Sequence, residues 1–299
     1  MTEMSSRLAS ASRSRGGPVL AGAATLDVIC AGEALWDLAP SESASLRFKA
    51  GGGAANTAVM LARAGLRVGL AATLGDDASG RALLARIAAA GVEVGGVILA
   101  SPQGGLLVLE DAGGALVETR LDASAAIAVP DGWGASLLLL SGISPELAPM
   151  AGLCRAARAA RRAGTMVVVD LNVRWRSWAG RDPRTLHALL READVVRASV
   201  ADLFGLRLDG AALHAAMRPT ATLVLTQGAG LARASGPFGE VTSAPVAVAK
   251  TRVAGAGDAF TSALCVELVR AGDAAASRSE IWKRALERAH AAARQRIVG

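Results

Sequence analysis

Four consecutive residues, Gly255-Ala256-Gly257-Asp258, carry the most definite chemistry in this chain. Two glycines let a backbone approach a ligand closely and turn successive N–H groups toward it. Phe260, Leu264 and Leu268 recur at helical spacing, so a helix is expected from near Asp258. A helix N-terminus leaves four N–H groups unpaired and carries partial positive charge, which suits an anion. Asp258 would stand where that anion meets the group receiving it. Taken alone, the four residues describe a tight turn with Asp as N-cap more readily than a site. The elements around them have to decide.

Val241–Ala249 reads as the strand that delivers this turn. Near the start, Leu26–Ala31 is a short apolar run of the kind buried in parallel sheets, and it ends in Gly32-Glu33. Asp37 follows at a strand end or loop, where open α/β sheets keep their ligands. Ser41–Ala50 reads as a polar loop, and Gly51-Gly52-Gly53 opens a helix that carries Asn56 and closes at Gly65. Leu66–Leu74 is a strand, and Gly80–Ala90 a helix ended by Gly91. Leu106–Glu110 and Ala115–Arg120 flank the turn Asp111-Ala112-Gly113-Gly114 and form a hairpin expected to stand off the main sheet. Strand, helix and strand then alternate through Ser136–Leu140, Pro145–Ala163 and Met166–Asp170, as a parallel sheet with crossovers requires. The last of these delivers D-L-N-V-R-W-R-S-W, Asp170 to Trp178, at its C-terminal end. Glu192–Ala198 and Leu223–Thr226 are further strand-like runs, leading into Ser199-Val200-Ala201-Asp202 and Thr226-Gln227-Gly228.

Five of these strings, in this order, resemble the ribokinase-like (pfkB-type) carbohydrate kinases, and their motifs are similar to the fructokinase and 2-keto-3-deoxygluconate kinase branch. The resemblance runs from about Leu26 to about Ala293. It implies a three-layer α/β/α domain with a mostly parallel, doubly wound sheet and a small β-lid. The domain would span residues 26–299, with lid segments near 41–50 and 103–121, after a disordered extension over 1–25. It further implies an ATP-dependent sugar kinase, a phosphotransferase with an alcohol group as acceptor. Asp258 would be the general base, and Gly255, Ala256 and Gly257 the anion hole for the transferred group. Asp37, Gly52, Gly53, Asn56, Arg120 and Arg174 would bind the sugar, and Ser199, Thr226, Gly228 and Gly230 the nucleotide. Asp202 would organise the water shell of Mg²⁺. It is one methylene shorter than the Glu of the family pattern, and Leu171 and Leu231 stand where that pattern has Pro and Gly. In many relatives an Asp at the place of Arg252 helps hold a monovalent cation. Arg252 has five donors and no acceptor, so it cannot ligate one. Either its guanidinium occupies that region or it turns into solvent, and dependence on a monovalent cation is in question here.

Composition narrows the remaining classes. With 52% hydrophobic residues the chain has ample material for a core, yet no run of 18 or more apolar residues for a membrane span. The formal charge is +6, but the arginines are scattered rather than gathered with aromatics, so no nucleic-acid partner is expected. Cys30, Cys154 and Cys265 are odd in number and far apart, which reads as buried thiols in a reducing, cytoplasmic setting. No G-x-x-x-x-G-K-[ST] is present, and Gly32-Glu33-Ala34 does not supply a dinucleotide fingerprint. The expected partners are a small sugar and ATP, with a homodimer through the lid as the assembly the resemblance suggests. An alternative reading is a sugar- or nucleotide-binding relative that has lost catalysis. It rests on Arg252-Val253-Ala254 standing for the usual Asp-Thr-Thr or Asp-Thr-Val, and on a chain that stops at Gly299 without the family's short tail.

Overall fold

The structure, a computed structural model, describes residues 25–40, 46–100, 107–110, 116–119, 127–143, 150–173, 178–228, 230–245 and 255–298. Strand β1 (Thr25–Gly32) shows why the chain forms a layered sheet. Val28 and Cys30 belong to one hydrophobic cluster, Ile29 and Ala31 to another, so successive side chains enter two separate cores. The same split recurs in β8 (Gly134–Ser141), where Leu137 and Leu139 face one core and Leu138 and Leu140 the other. A strand buried on both faces has to be apolar where it is buried, as Val28–Ala31 and Leu137–Leu140 are.

Strands β4 (Val68–Gly75), β5 (Glu93–Ala100), β9 (Met166–Asp170), β10 (Val195–Ser199) and β11 (Thr222–Thr226) complete the parallel part. The order across the sheet is β13-β12-β11-β10-β9-β8-β1-β4-β5. Strands β12 (Ala232–Gly236) and β13 (Gly239–Ser243) run antiparallel at one edge. One core packs α1 (Gly53–Arg63), α2 (Ala78–Ala88), α7 (Ala256–Ala271) and α8 (Ser279–Val298) against the sheet. The other packs α3 (Met150–Arg162), α4 (His187–Leu190), α5 (Val200–Leu206) and α6 (Gly210–Ala216) against the opposite face. This is the three-layer α/β/α architecture expected. Among the described residues no helix is long and apolar enough to cross a membrane. Cys30 and Cys265 are buried, and burial pushes both thiols above the ordinary range, whereas Cys154 is half-buried.

A second sheet has the order β3-β2-β6-β7, from β2 (Leu35–Pro40), β3 (Leu46–Gly51), β6 (Leu107–Glu110) and β7 (Leu116–Thr119). The hairpin therefore does stand apart from the main sheet. The reading of Ser41–Ala50 as a loop is corrected over its second half, because Leu46–Gly51 pairs antiparallel with β2. Leu46, Phe48 and Ala50 alternate with Arg47 and Lys49, a two-residue period that composition alone obscured. Asp37 accordingly lies within β2, opposite Lys49. Other boundaries shift as well. The strand expected at Val241–Ala249 is β13, Gly239–Ser243, and the helix expected near Asp258 begins at Ala256. The N-terminal extension, the hairpin turn with Arg120, the segment holding Arg174, and Arg252 lie outside the described residues.

Candidate active site

Parallel strands end together, and their last residues gather the polar groups. Ser141 closes β8, Asp170 closes β9, Ser199 closes β10 and Thr226 closes β11. In register, Ser141 lies beside Asp170, Asp170 beside Arg197, and Ser199 beside Thr226. Alternation along β10 puts Val196 and Ala198 in one core, so Arg197 points to the other side, toward α7. Its guanidinium donates to Asp170 Oδ1 at 3.1 Å and to Thr226 Oγ1 at 2.9 Å, and lies 5.8 Å from the Phe260 ring centroid. The Thr261 hydroxyl donates to Asp170 Oδ2 at 2.6 Å, tying α7 to the same carboxylate.

Charges here act on one another at close range. Burial opposes the charge on Arg197, yet Asp170, Asp202 and Asp258 outweigh it and hold the guanidinium pKa above its ordinary value. Burial pushes Asp170 upward, against the pull of Arg197 and of the Thr261 hydroxyl.

Helix α7 starts on Gly255, whose φ of 84° is left-handed and suits glycine alone without strain. Asp258 is in the first turn and only 7% exposed. Two amides hold its carboxylate: Asn56 Nδ2 donates to Oδ2 at 2.8 Å, and Asn172 Nδ2 to Oδ1 at 3.2 Å. Asn56 is the fourth residue of α1 and Asn172 comes from the loop after β9, so three distant segments meet on one carboxylate. An N-cap role alone would place Asp258 ahead of the helix. Here Gly255 is the N-cap, and Asp258 lies inside.

Asn172 was not among the expected site residues, although it stands in the D-L-N string. Its φ of 38° is unusual for a residue with a side chain. The loop is pinned on both sides, with Leu171 N donating to Arg197 O at 3.0 Å and Val173 N to Asp202 Oδ1 at 2.6 Å. A Cβ on Gly53 would lie 2.5 Å from Asn172 Nδ2, which explains a glycine at the start of α1. We expect Asn172→Gly, which keeps the backbone conformation, to lower kcat about 10- to 100-fold by releasing the carboxylate. Thermal unfolding should stay near that of the parent protein. An unchanged kcat in steady-state assays would show that Asn56 alone orients Asp258.

The remaining expected residues distribute unevenly around this centre. Gly52 is the N-cap of α1, and its carbonyl accepts from Asn56 N at 2.9 Å. Asp37 is half-buried, with its carboxylate packed over Gly51. Ser199 caps α5, and its Oγ and N both donate to Asp202 Oδ2, at 2.7 and 2.6 Å. With Val173 N on Oδ1, these bonds take three of the roughly four acceptor positions of the carboxylate. One acceptor position, on Asp202 Oδ1, is left free. No group of three or more metal-ligating side chains occurs among the described residues. Gly228 has φ 60°, and the loop closes through Gly230 N to Gln227 O and Gln227 N to Leu231 O, both 3.0 Å. Arg197 was missed altogether. Its signal was an arginine inside an apolar strand run whose neighbouring strand ends in Asp.

The chain matches the model described as "pfkB family carbohydrate kinase" over residues 19–297. It is similar in structure to a double-mutant fructokinase from Vibrio cholerae O395 with fructose, ADP and potassium ion bound, at TM-score 0.79 and 21% identity, over 93% of this chain and 94% of that one. It is similar also to fructokinase with bound ATP from Xylella fastidiosa, at TM-score 0.78 and 23% identity, over 92% of each chain. Aminoimidazole riboside kinase from Salmonella enterica, with aminoimidazole riboside and an ATP analogue, gives TM-score 0.77 and 23% identity, over 91% of this chain and 94% of that one.

Proposed function

The chain belongs to the pfkB family of carbohydrate kinases, and from that premise we propose that it transfers the γ-phosphoryl group of ATP to a hydroxyl of a small sugar or keto-sugar acid, of the fructose or 2-keto-3-deoxygluconate type. The observation that carries this reading is the Asp258 carboxylate, buried in the first turn of α7 and oriented by the amides of Asn56 and Asn172.

Asp258 accepts the proton of the sugar hydroxyl as that oxygen attacks the γ-phosphorus. The unpaired N–H groups of the Gly255–Gly257 turn and the positive end of α7 offset the charge on the transferring phosphoryl oxygens. Mg²⁺, when bound, neutralises phosphate charge. Asp202, with Oδ1 partly free, would hold one water of its shell. The loop that begins at Thr226 receives the nucleotide. Asp37 and the Gly52-Gly53 entry to α1 meet the sugar, under a lid formed by the β3-β2-β6-β7 sheet. A lid excludes water, which otherwise competes with the sugar for the phosphoryl group.

The test is ATP turnover by the purified protein with a panel of sugars that includes both types. Arg174 sorts them. A guanidinium grips a carboxylate through two parallel hydrogen bonds, which an ammonium cannot reproduce. Arg174→Lys should raise the KM for 2-keto-3-deoxygluconate about tenfold or more and leave that for fructose nearly unchanged. Equal effects on both sugars would give Arg174 a purely structural role.

A further inference from the structure

Two arginines converge on the glycine turn, Arg197 buried and matched by a carboxylate, Arg296 half-buried and not. Arg197 approaches from β10, its Nη2 and Nη1 lying 3.6 and 3.7 Å from where a Cβ on Gly257 would stand. Arg296 approaches from the last turn of α8, with Nε 3.3 Å and Nη2 3.7 Å from the corresponding point on Gly255. Arg197 is ion-paired with Asp170. Among the described residues Arg296 has no ion pair, and its Nε is buried without a hydrogen-bond partner, as is the Nε of Arg197.

A buried donor with no acceptor is costly, more so on a cation. Here one such donor, Arg296 Nε, lies against the turn, which Arg197 borders through its Nη atoms and which also presents the free N–H groups of a helix start. Three carboxylates, Asp170, Asp202 and Asp258, act on Arg197. A polyanion entering the turn would therefore meet local negative charge that Arg197 alone does not balance. Arg296 adds the second positive charge. It stands against the Cα of Gly255 and needs no rearrangement to act on whatever the turn holds.

We propose that Arg296 is a positioning residue for the phosphate chain of the nucleotide, its guanidinium supplying fixed positive charge to the Gly255–Gly257 turn. The proposal rests on the kinase reading for the identity of the anion, but not for the presence of an anion site. An arginine confined to one turn of α8 is thus part of the phosphate site although it lies about forty residues beyond Asp258 in the chain.

The experiment uses the full chain with Arg296→Gln and Arg296→Met, which remove the charge while the first keeps a polar tip and the second the apolar stem. Tripolyphosphate affinity is measured by calorimetry, separately from any sugar. The expected result for each folded variant is about ten- to a hundredfold weaker tripolyphosphate binding. The KM for ATP should rise or kcat fall by a similar factor, with the KM for the sugar unchanged, and Arg296→Lys should recover most of the loss because charge rather than fork geometry is at work. Wild-type tripolyphosphate affinity in either neutral variant would overturn the proposal, as would a loss confined to thermal stability. Weakened tripolyphosphate binding in a protein that phosphorylates none of the sugars would keep the anion site and discard the kinase reading instead.

Discussion

Asp258→Asn is expected to lower kcat by about 10²–10⁴-fold and to leave the sugar KM nearly unchanged. The amide fills the same space, so packing in the first turn of α7 is preserved. It has no basic oxygen at which to take up the hydroxyl proton. It also turns an NH₂ group toward one of the two amide donors that hold the carboxylate, Asn56 Nδ2 at 2.8 Å or Asn172 Nδ2 at 3.2 Å, so one of those bonds is lost. Stability should change little, since one hydrogen bond contributes about 1 kcal/mol. Steady-state kinetics over a range of sugar concentrations separates the two parameters. Turnover within a factor of three of the parent protein would remove Asp258 from the chemistry and leave it a structural role.

The second large effect concerns stability. Arg197→Met should cost about 3–5 kcal/mol of unfolding free energy, because it strands Asp170 as a buried carboxylate without its cation. Asp170 is fully buried and Arg197 only 7% exposed, so solvent does little to soften the loss. Thr261 would still donate to Asp170 Oδ2, but one hydroxyl does not replace an ion pair. Adding Asp170→Leu to Arg197→Met should recover a substantial part of the stability, since replacing both partners removes the uncompensated charge. Urea unfolding of the single and double variants checks both statements. A single variant within about 1 kcal/mol of the parent protein, the value of an exposed pair, would show that Asp170 is already neutral in the folded protein.

Much of this protein was readable from local pattern, and the part that was not has a common cause. The apolar runs at Leu26–Ala31, Ser136–Leu140 and Met166–Asp170 are buried on both faces, so their composition alone announces a parallel sheet. Gly255-Ala256-Gly257-Asp258 likewise marks a helix start, since an anion turn and a capped tight turn both lead into one. Leu46–Gly51 escaped notice because a strand in a small sheet is fixed by its pairing with β2, a long-range contact that adds only a short alternation to the sequence. Helix α7 begins two residues earlier than its apolar spacing indicates, because the left-handed Gly255 rather than Asp258 serves as N-cap. Asn56, Asn172 and Asp258 are separated by 202 and 86 positions along the chain, and no periodicity links them. Arg197 and Arg296 were invisible for the same reason. A guanidinium reads as solvated charge until the fold withdraws it from water and sets it beside another segment. The residue types determined which chemistry was available, and tertiary packing decided which side chains hold Asp258 and which border the Gly255–Gly257 turn, because burial and proximity are properties of the assembled layers.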